Sequence, residues 1–298
     1  MLTAVTIASA SAVAASACPP EHWVTAAAQK RGTERSLAIR LTPPGTAPLR
    51  RRGPRGRAVE RGRVRRVPHS PAVVVAVGAD ACKTGWMAVV VDDTGVLAAH
   101  YLPGITSLPA IVPNASVVAI DIPIGLPESG RREADVAARS FLGPRRNSVF
   151  FTPPRAAVEA ATHAEATAAS LRLTGFGLSR QSFALAPKVR EVDTWIRHAP
   201  WPVYEVHPEV SFAILLGAPA SAPKKSWAGM SERRRGLARA GLTLDHIHGD
   251  AAIRAAVDDM LDAAVAAWSA LRIARGQALT IPDPPPAGPE GRPIAIWA

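Results

Sequence analysis

The chain of 298 residues is 48% hydrophobic and 20% charged, with 28 Pro and 2 Cys, a globular composition long enough for one large domain or two small ones. Two cysteines exclude a disulfide-stapled scaffold and a cysteine-rich zinc protein, and no run of eighteen uninterrupted apolar residues argues for a membrane-spanning helix. The formal charge of +11 is concentrated at one end: residues 1–70 hold 13 Lys and Arg against Glu21, Glu34 and Glu60, which leaves residues 71–298 at +1.

Residues 1–70 are set apart from the rest. The Ala- and Ser-rich run before Cys18 resembles a cleavage site but lacks a positive leading segment. Residues 44–68 are rich in Arg, Pro and Gly without periodicity, a composition expected to be disordered. Three readings compete: a degenerate export signal, a basic arm that binds nucleic acid, and an extension from an over-long start assignment, which is favoured. Nothing after residue 70 needs an oxidising compartment, so a cytoplasmic location is expected. No membrane association is expected, and the sequence says nothing of oligomeric state.

The valine-rich run 72–79 predicts a buried strand. Polar turns at 80–85 and 92–95 separate it from strands over 86–91 and 96–101, an antiparallel meander. A short helical linker at 105–111 precedes a fourth strand at 117–122, broken by Pro123. Helical periodicity follows over 131–141. After a proline-punctuated loop at 147–154, helices are predicted over 155–171 and 179–198, the latter with Ser179 as N-cap. A fifth short strand at 203–206 and helices over 231–240 and 251–275 complete a mixed α/β fold around one sheet, a single domain over 71–298.

The acids fall at telling places. Asp80 directly follows the first strand, and Asp121 interrupts Val-Val-Ala-Ile-Asp-Ile-Pro, where a charge is unfavourable unless it is paired or bound to a cation. Asp259 and Asp262 are three apart on the last helix and share a face. Individually, Asp80 reads equally as a turn residue, Asp121 as the partner of a buried Arg, and the helix acids as solvated surface. Together, converging carboxylates would take up protons unless a dication compensates, and oxygen ligands suit Mg²⁺ or Mn²⁺.

Several segments resemble domain-of-unknown-function family 429, whose members are described as predicted nucleases with an RNase H-like fold. The resemblance spans nearly all of residues 73–296. Its most informative segments are Gly78-Ala-Asp-Ala-Cys-Lys-Thr-Gly-Trp86, Ile120-Asp-Ile-Pro-Ile-Gly-Leu-Pro127, Lys188-Val-Arg-Glu-Val-Asp193, Glu205-Val-His-Pro-Glu-Val-Ser-Phe212 and Asp258-Asp-Met-Leu-Asp-Ala263. It implies a five-stranded sheet whose first three strands are antiparallel, with a metal site built from acids of the first strand, the fourth strand and the last helix. Asp80 and Asp121 match the first two places. The third falls among Asp258, Asp259 and Asp262, because the Asp-x-x-Asp-Ala pattern looks like the helix motif of RuvC-type resolvases.

The expected function is metal-dependent phosphodiester hydrolysis on DNA or RNA. Asp80, Asp121 and Asp262 would hold Mg²⁺ or Mn²⁺, with Asp259 or Glu205 as a fourth ligand. Lys83, Arg145, Lys188 and His207 are the candidates for contacting substrate phosphate. Two other readings stand beside it: a small-molecule phosphotransferase on the same sheet, and a non-catalytic binding module. Cys82 has no evident partner base for covalent catalysis, and no nucleotide-binding glycine fingerprint occurs.

Overall fold

A computed structural model of the chain describes residues 73–288 and 291–298, so the expectations for residues 1–70 lie outside the described residues. Strands β1 (Ala76–Cys82), β2 (Gly85–Asp92) and β3 (Gly95–Leu102) form the antiparallel meander. The β2–β3 turn closes as the turn chemistry requires: the Asp92 carboxylate accepts hydrogen bonds from the backbone N–H and hydroxyl of Thr94, and Gly95 takes a positive φ of 130°. On the other edge of β1, β4 (Val117–Ile120) and then β5 (Val203–Glu205) run parallel. The order β3-β2-β1-β4-β5 is the mixed five-stranded sheet expected from the sequence.

Nine helices are described: α1 (Leu108–Ile111), α2 (Glu133–Leu142), α3 (Arg155–Glu159), α4 (His163–Thr174), α5 (Arg180–Trp195), α6 (Pro208–Leu216), α7 (Trp227–Arg239), α8 (Asp250–Arg254) and α9 (Val257–Ala274). The strands alternate with period two, as strand geometry demands. Val77, Ala79, Val118 and Ile120 face one side and bury against Val189, Val192 and Trp195 of α5. Ala76, Val89, Val117 and Ala119 face the other, against α9, Phe212 of α6 and Leu237 of α7. A short hairpin of β6 (Thr280–Ile281) and β7 (Ile296–Trp297) packs near α2. Among the described residues no helix is long and apolar enough to cross a membrane.

The structure departs from the sequence expectation where local capping overrides periodicity. The helix expected over 155–171 is two helices, because Thr162 and Glu165 form a reciprocal capping box that starts α4 afresh. Residues 251–275 likewise divide into α8 and α9. Helix α7 begins earlier than expected, capped by the Ser226 hydroxyl accepting from Gly229 N–H at 3.1 Å. Helix α6 was not expected. Pro208 opens it and Gly217, with φ 79°, closes it. Ser179 caps α5 as expected, accepting from Ser182 N–H at 3.0 Å.

Gly78 marks a close approach between sheet and helix. A Cβ at this position would overlap backbone atoms of Ala263, Ala266 and Ala267 on α9, so the helix backbone lies directly on β1. The run of Ala263, Ala264, Ala266 and Ala267, all fully buried, completes the close seat. Gly78→Ala is therefore expected to cost about 3 kcal/mol, the upper end of overpacking effects, read as a fall in the denaturant midpoint. An unchanged midpoint would show that strand and helix do not touch there.

Candidate functional site

Close seating of α9 on β1 decides which side chains meet. Asp80 lies two residues beyond Gly78 and so points to the same, α9-facing side of the sheet. It sits inside β1, not after it as expected from the sequence. Asp121 follows the last residue of β4, and its backbone N–H donates to Ala79 O at 3.0 Å. Asp259 and Asp262 project from the first two turns of α9, one turn before the Gly78 contact. All four acids line one cleft of about 490 Å³. Asp80 and Asp262 are 7% and 1% exposed, while Asp121 and Asp259 are half-buried.

Crowding raises the proton affinity of every one of them. Asp80 is held well above the usual carboxylate range by burial and then by the charges of Asp121 and Asp262. Burial also lifts Asp121 to about 7, with Lys224 and a hydrogen bond from Asp80 opposing the rise and Glu205 and Glu209 adding to it. Asp262 rises to about 6 for the same first reason, against the pull of Lys224. Asp259 is raised by burial and by neighbouring Asp258. Two carboxyls crowded together in a buried place resist ionising at once, so Asp80 and Asp121 are the acids most in need of a compensating positive charge.

One cation enters the cleft from the chain itself. Lys224, on the loop between α6 and α7, places its ammonium 2.6 Å from Asp262 Oδ2 and 3.8 Å from Asp258 Oδ2. Burial works against that charge, yet Asp262, Asp80 and Asp121 more than offset it and hold the lysine above its usual range. Sequence reasoning passed over Lys224. Its lysine pair in a proline-flanked linker carries no helical or strand pattern, and only the fold brings it to the acids.

Glu205 belongs to a different arrangement. By alternation it shares the face of Val203, away from α9, and both its oxygens are engaged: Oε1 by Arg132 at 2.6 Å, and Oε2 by Arg132 at 2.8 Å and by Ile124 N–H at 2.7 Å. Arg132, 5% exposed, also binds Asp135 at 2.6 Å. Glu205 therefore reaches the cleft edge as half of a buried ion pair, with no oxygen left over for a fourth metal ligand. Glu209 is tied to buried Arg233 through Oε1 at 2.5 Å, while its Oε2 is buried without a hydrogen-bond partner. His207 does line the cleft. Its Nε2 lies 3.3 Å from Ser148 O, an acceptor, so Nε2 carries the proton and Nδ1 presents a lone pair. Burial lowers the ring's basicity and keeps it neutral.

Among the described residues, no three His, Cys, Asp or Glu side chains stand close enough to enclose a metal ion as they are. In donor chemistry, however, the cleft fits a hard dication. Its candidate ligands are all carboxylate oxygens, Asp80 and Asp121 are both raised by burial so that a positive charge would favour their ionised forms, and Asp262 Oδ1 is buried without any hydrogen-bond partner. Of the expected phosphate contacts, Arg145 borders this cleft with its Nε donating to Ala220 O at 2.9 Å. Lys83 and Lys188 lie instead in an adjoining cavity.

Because Asp121 and Asp262 are raised above their ordinary values, they contribute stability below about pH 4 that is lost as pH rises through roughly 6 and 7. In chelator, the melting temperature should fall between about pH 5 and about pH 8, and Asp121→Asn should reduce that fall by roughly 3–6 °C, the effect of about 1–2 kcal/mol in a domain of this size. Parallel pH profiles for wild type and variant would show that burial does not raise Asp121.

A family model described as protein of unknown function, DUF429, matches residues 78–287. Comparison with curated proteins and with solved structures finds no match. The matched span includes Asp80, Asp121, Lys224, Asp259 and Asp262, and covers well over half of the sequence. The chain belongs to the DUF429 family of proteins of unknown function.

Proposed function

We propose that this protein is a divalent-cation-dependent phosphodiesterase acting on nucleic acid, with its centre at Asp80, Asp121 and Asp262. The observation that carries this reading is the meeting of four acids from β1, β4 and α9 around a buried, unpartnered Asp262 Oδ1. Bound Mg²⁺ or Mn²⁺ would supply a lowered pKa for attacking water and stabilisation of the leaving oxygen.

The chain's own groups have separable tasks. Asp80 and Asp121 would be the oxygen donors whose readiness depends on pH, since burial raises the proton affinity of both. Asp262 contributes Oδ1 while Lys224 retains Oδ2. That ammonium also sits where it can hold a phosphate oxygen that would otherwise be repelled by the acids. Neutral His207 stands at the cleft wall with its Nδ1 lone pair buried and without a hydrogen-bond partner. Asp259, half-buried one turn before Asp262, adds negative charge at the mouth.

Purified full-length protein should cleave an oligonucleotide in Mg²⁺ or Mn²⁺ and not in chelator. Asp80→Asn and Asp121→Asn should each lower the rate by roughly 10²–10³-fold, the scale for removing one electrostatic group from a site of this kind, with the circular dichroism spectrum unchanged. The metal concentration needed for half-maximal rate should fall as pH rises through about 7, because protons and metal compete for Asp121. Cleavage that survives both substitutions would discard the assignment.

A further inference from the structure

The acid cleft adjoins a second cavity of about 950 Å³. Ala81, Ser148, Phe150, Thr152 and Gln181 border both, so the two lie side by side and together make up a trench. Its chemistry changes completely along the way. No Asp or Glu lines the larger cavity, whereas Lys83, Arg131, Arg139 and Lys188 do.

The cations are interleaved with rings. The Arg131 guanidinium lies 3.9 Å from the Phe151 ring centre and 3.8 Å from that of Phe176. Arg139 stands 4.7 Å from Phe151, and Lys188 4.6 Å from Trp86. Phe176 is 53% exposed and Phe150 37% exposed, so aromatic surface faces the trench unburied by the fold. Arg139 is committed to Val149 O and Asn147 Oδ1, and Lys188 lies 3.6 Å from Glu191. Lys83, on the β1–β2 turn, is exposed.

A polyanion is repelled by four clustered carboxylates, and residues 71–298 have almost no net charge to draw it in. Attraction must then be local, and the acid-free cavity beside the cleft supplies it. Exposed rings next to guanidinium and ammonium groups match unpaired bases, which stack, alternating with phosphates, which pair with cations. A duplex hides its base faces inside and has no use for the rings.

We propose that this trench is the binding track for a single-stranded nucleic acid, with bases stacked on Phe150 and Phe176 and phosphates against Lys83 and Arg131. The inference deepens the phosphodiesterase reading and rests on it for the direction of delivery, since the strand would run from the cationic cavity to the acids. Binding itself needs no turnover.

The test is fluorescence anisotropy on the full-length chain in chelator, with labelled oligothymidylate, oligouridylate and a short DNA duplex. The basic residues before position 71 are shared by all variants, so differences between variants report the trench. Wild type should bind a single strand more tightly than duplex. Phe176→Ala should weaken single-strand binding by about tenfold, as loss of one stacked base does, and leave duplex binding unchanged. Lys83→Ala with Arg131→Ala should lower the slope of log affinity against log salt by roughly one unit. The two polymers tell whether deoxyribose or ribose is preferred, and tighter binding of either supports the track. Unaltered single-strand affinity in Phe176→Ala, or preference for duplex, overturns it. Strand binding without metal-dependent cleavage would leave the track standing and remove the phosphodiesterase; cleavage indifferent to both trench variants would do the reverse.

Discussion

The site depends on a contact between two backbones. At Gly78 strand β1 carries no side chain, and α9 settles on it through Ala263, Ala266 and Ala267. Any larger residue would lift the helix, and with it Asp262, away from Asp80. The fold thus spends a glycine and a run of alanines, residues with little apolar surface to bury, on proximity. The larger side chains that stabilise this layer stand further out, at Val89, Phe212, Leu237 and Leu271. Position and stability are supplied by different residues.

That proximity creates an excess of negative charge, and the molecule settles most of it locally. Glu205 is answered by Arg132, Glu209 by Arg233 and Asp262 by Lys224. The first two pairs are buried and would strongly destabilise the fold if broken from one side. What is left is Asp80 and Asp121, which form no ion pair among the described residues and feel the neighbouring positive charge of Lys224. The unanswered charge therefore lies at two strand ends, with the unpartnered oxygen of Asp262 beside it.

Much of this was legible in the sequence, and the reasons for the remainder are physical. The meander was written in turn residues at short range, and the acids at strand ends stood out because their neighbours are apolar. Asp80 and Asp121 were placed correctly together even though Asp80 proves to be within its strand. Glu205 does border the cleft as expected, but its ion pair with Arg132 was not foreseen, because nearness along the chain to a strand end does not tell which partner a side chain meets. Alternation from Val203 could have shown that it points away from α9. Lys224 left no signal, since a lysine in a linker means nothing until folding brings it to α9. The breaks between α3 and α4 and between α8 and α9 were hidden by alanine-rich sequence that continues a helix equally well, although Thr162 and Glu165 spelled out a cap at the first. The aromatic members of the trench come from different segments, and no spacing rule links Phe150 with Phe176.

Arg132 has a wider consequence. Its guanidinium joins the end of β5 through Glu205, the loop after β4 through Ile124 O, and the start of α2 through Asp135, whose oxygens in turn hold Thr152. Thr152 belongs to the wall shared by the acid cleft and the trench. To swing that wall aside would strand a buried arginine among unsatisfied acids, so Thr152 is tied through Asp135 to the end of one strand, the loop after another and the start of a helix.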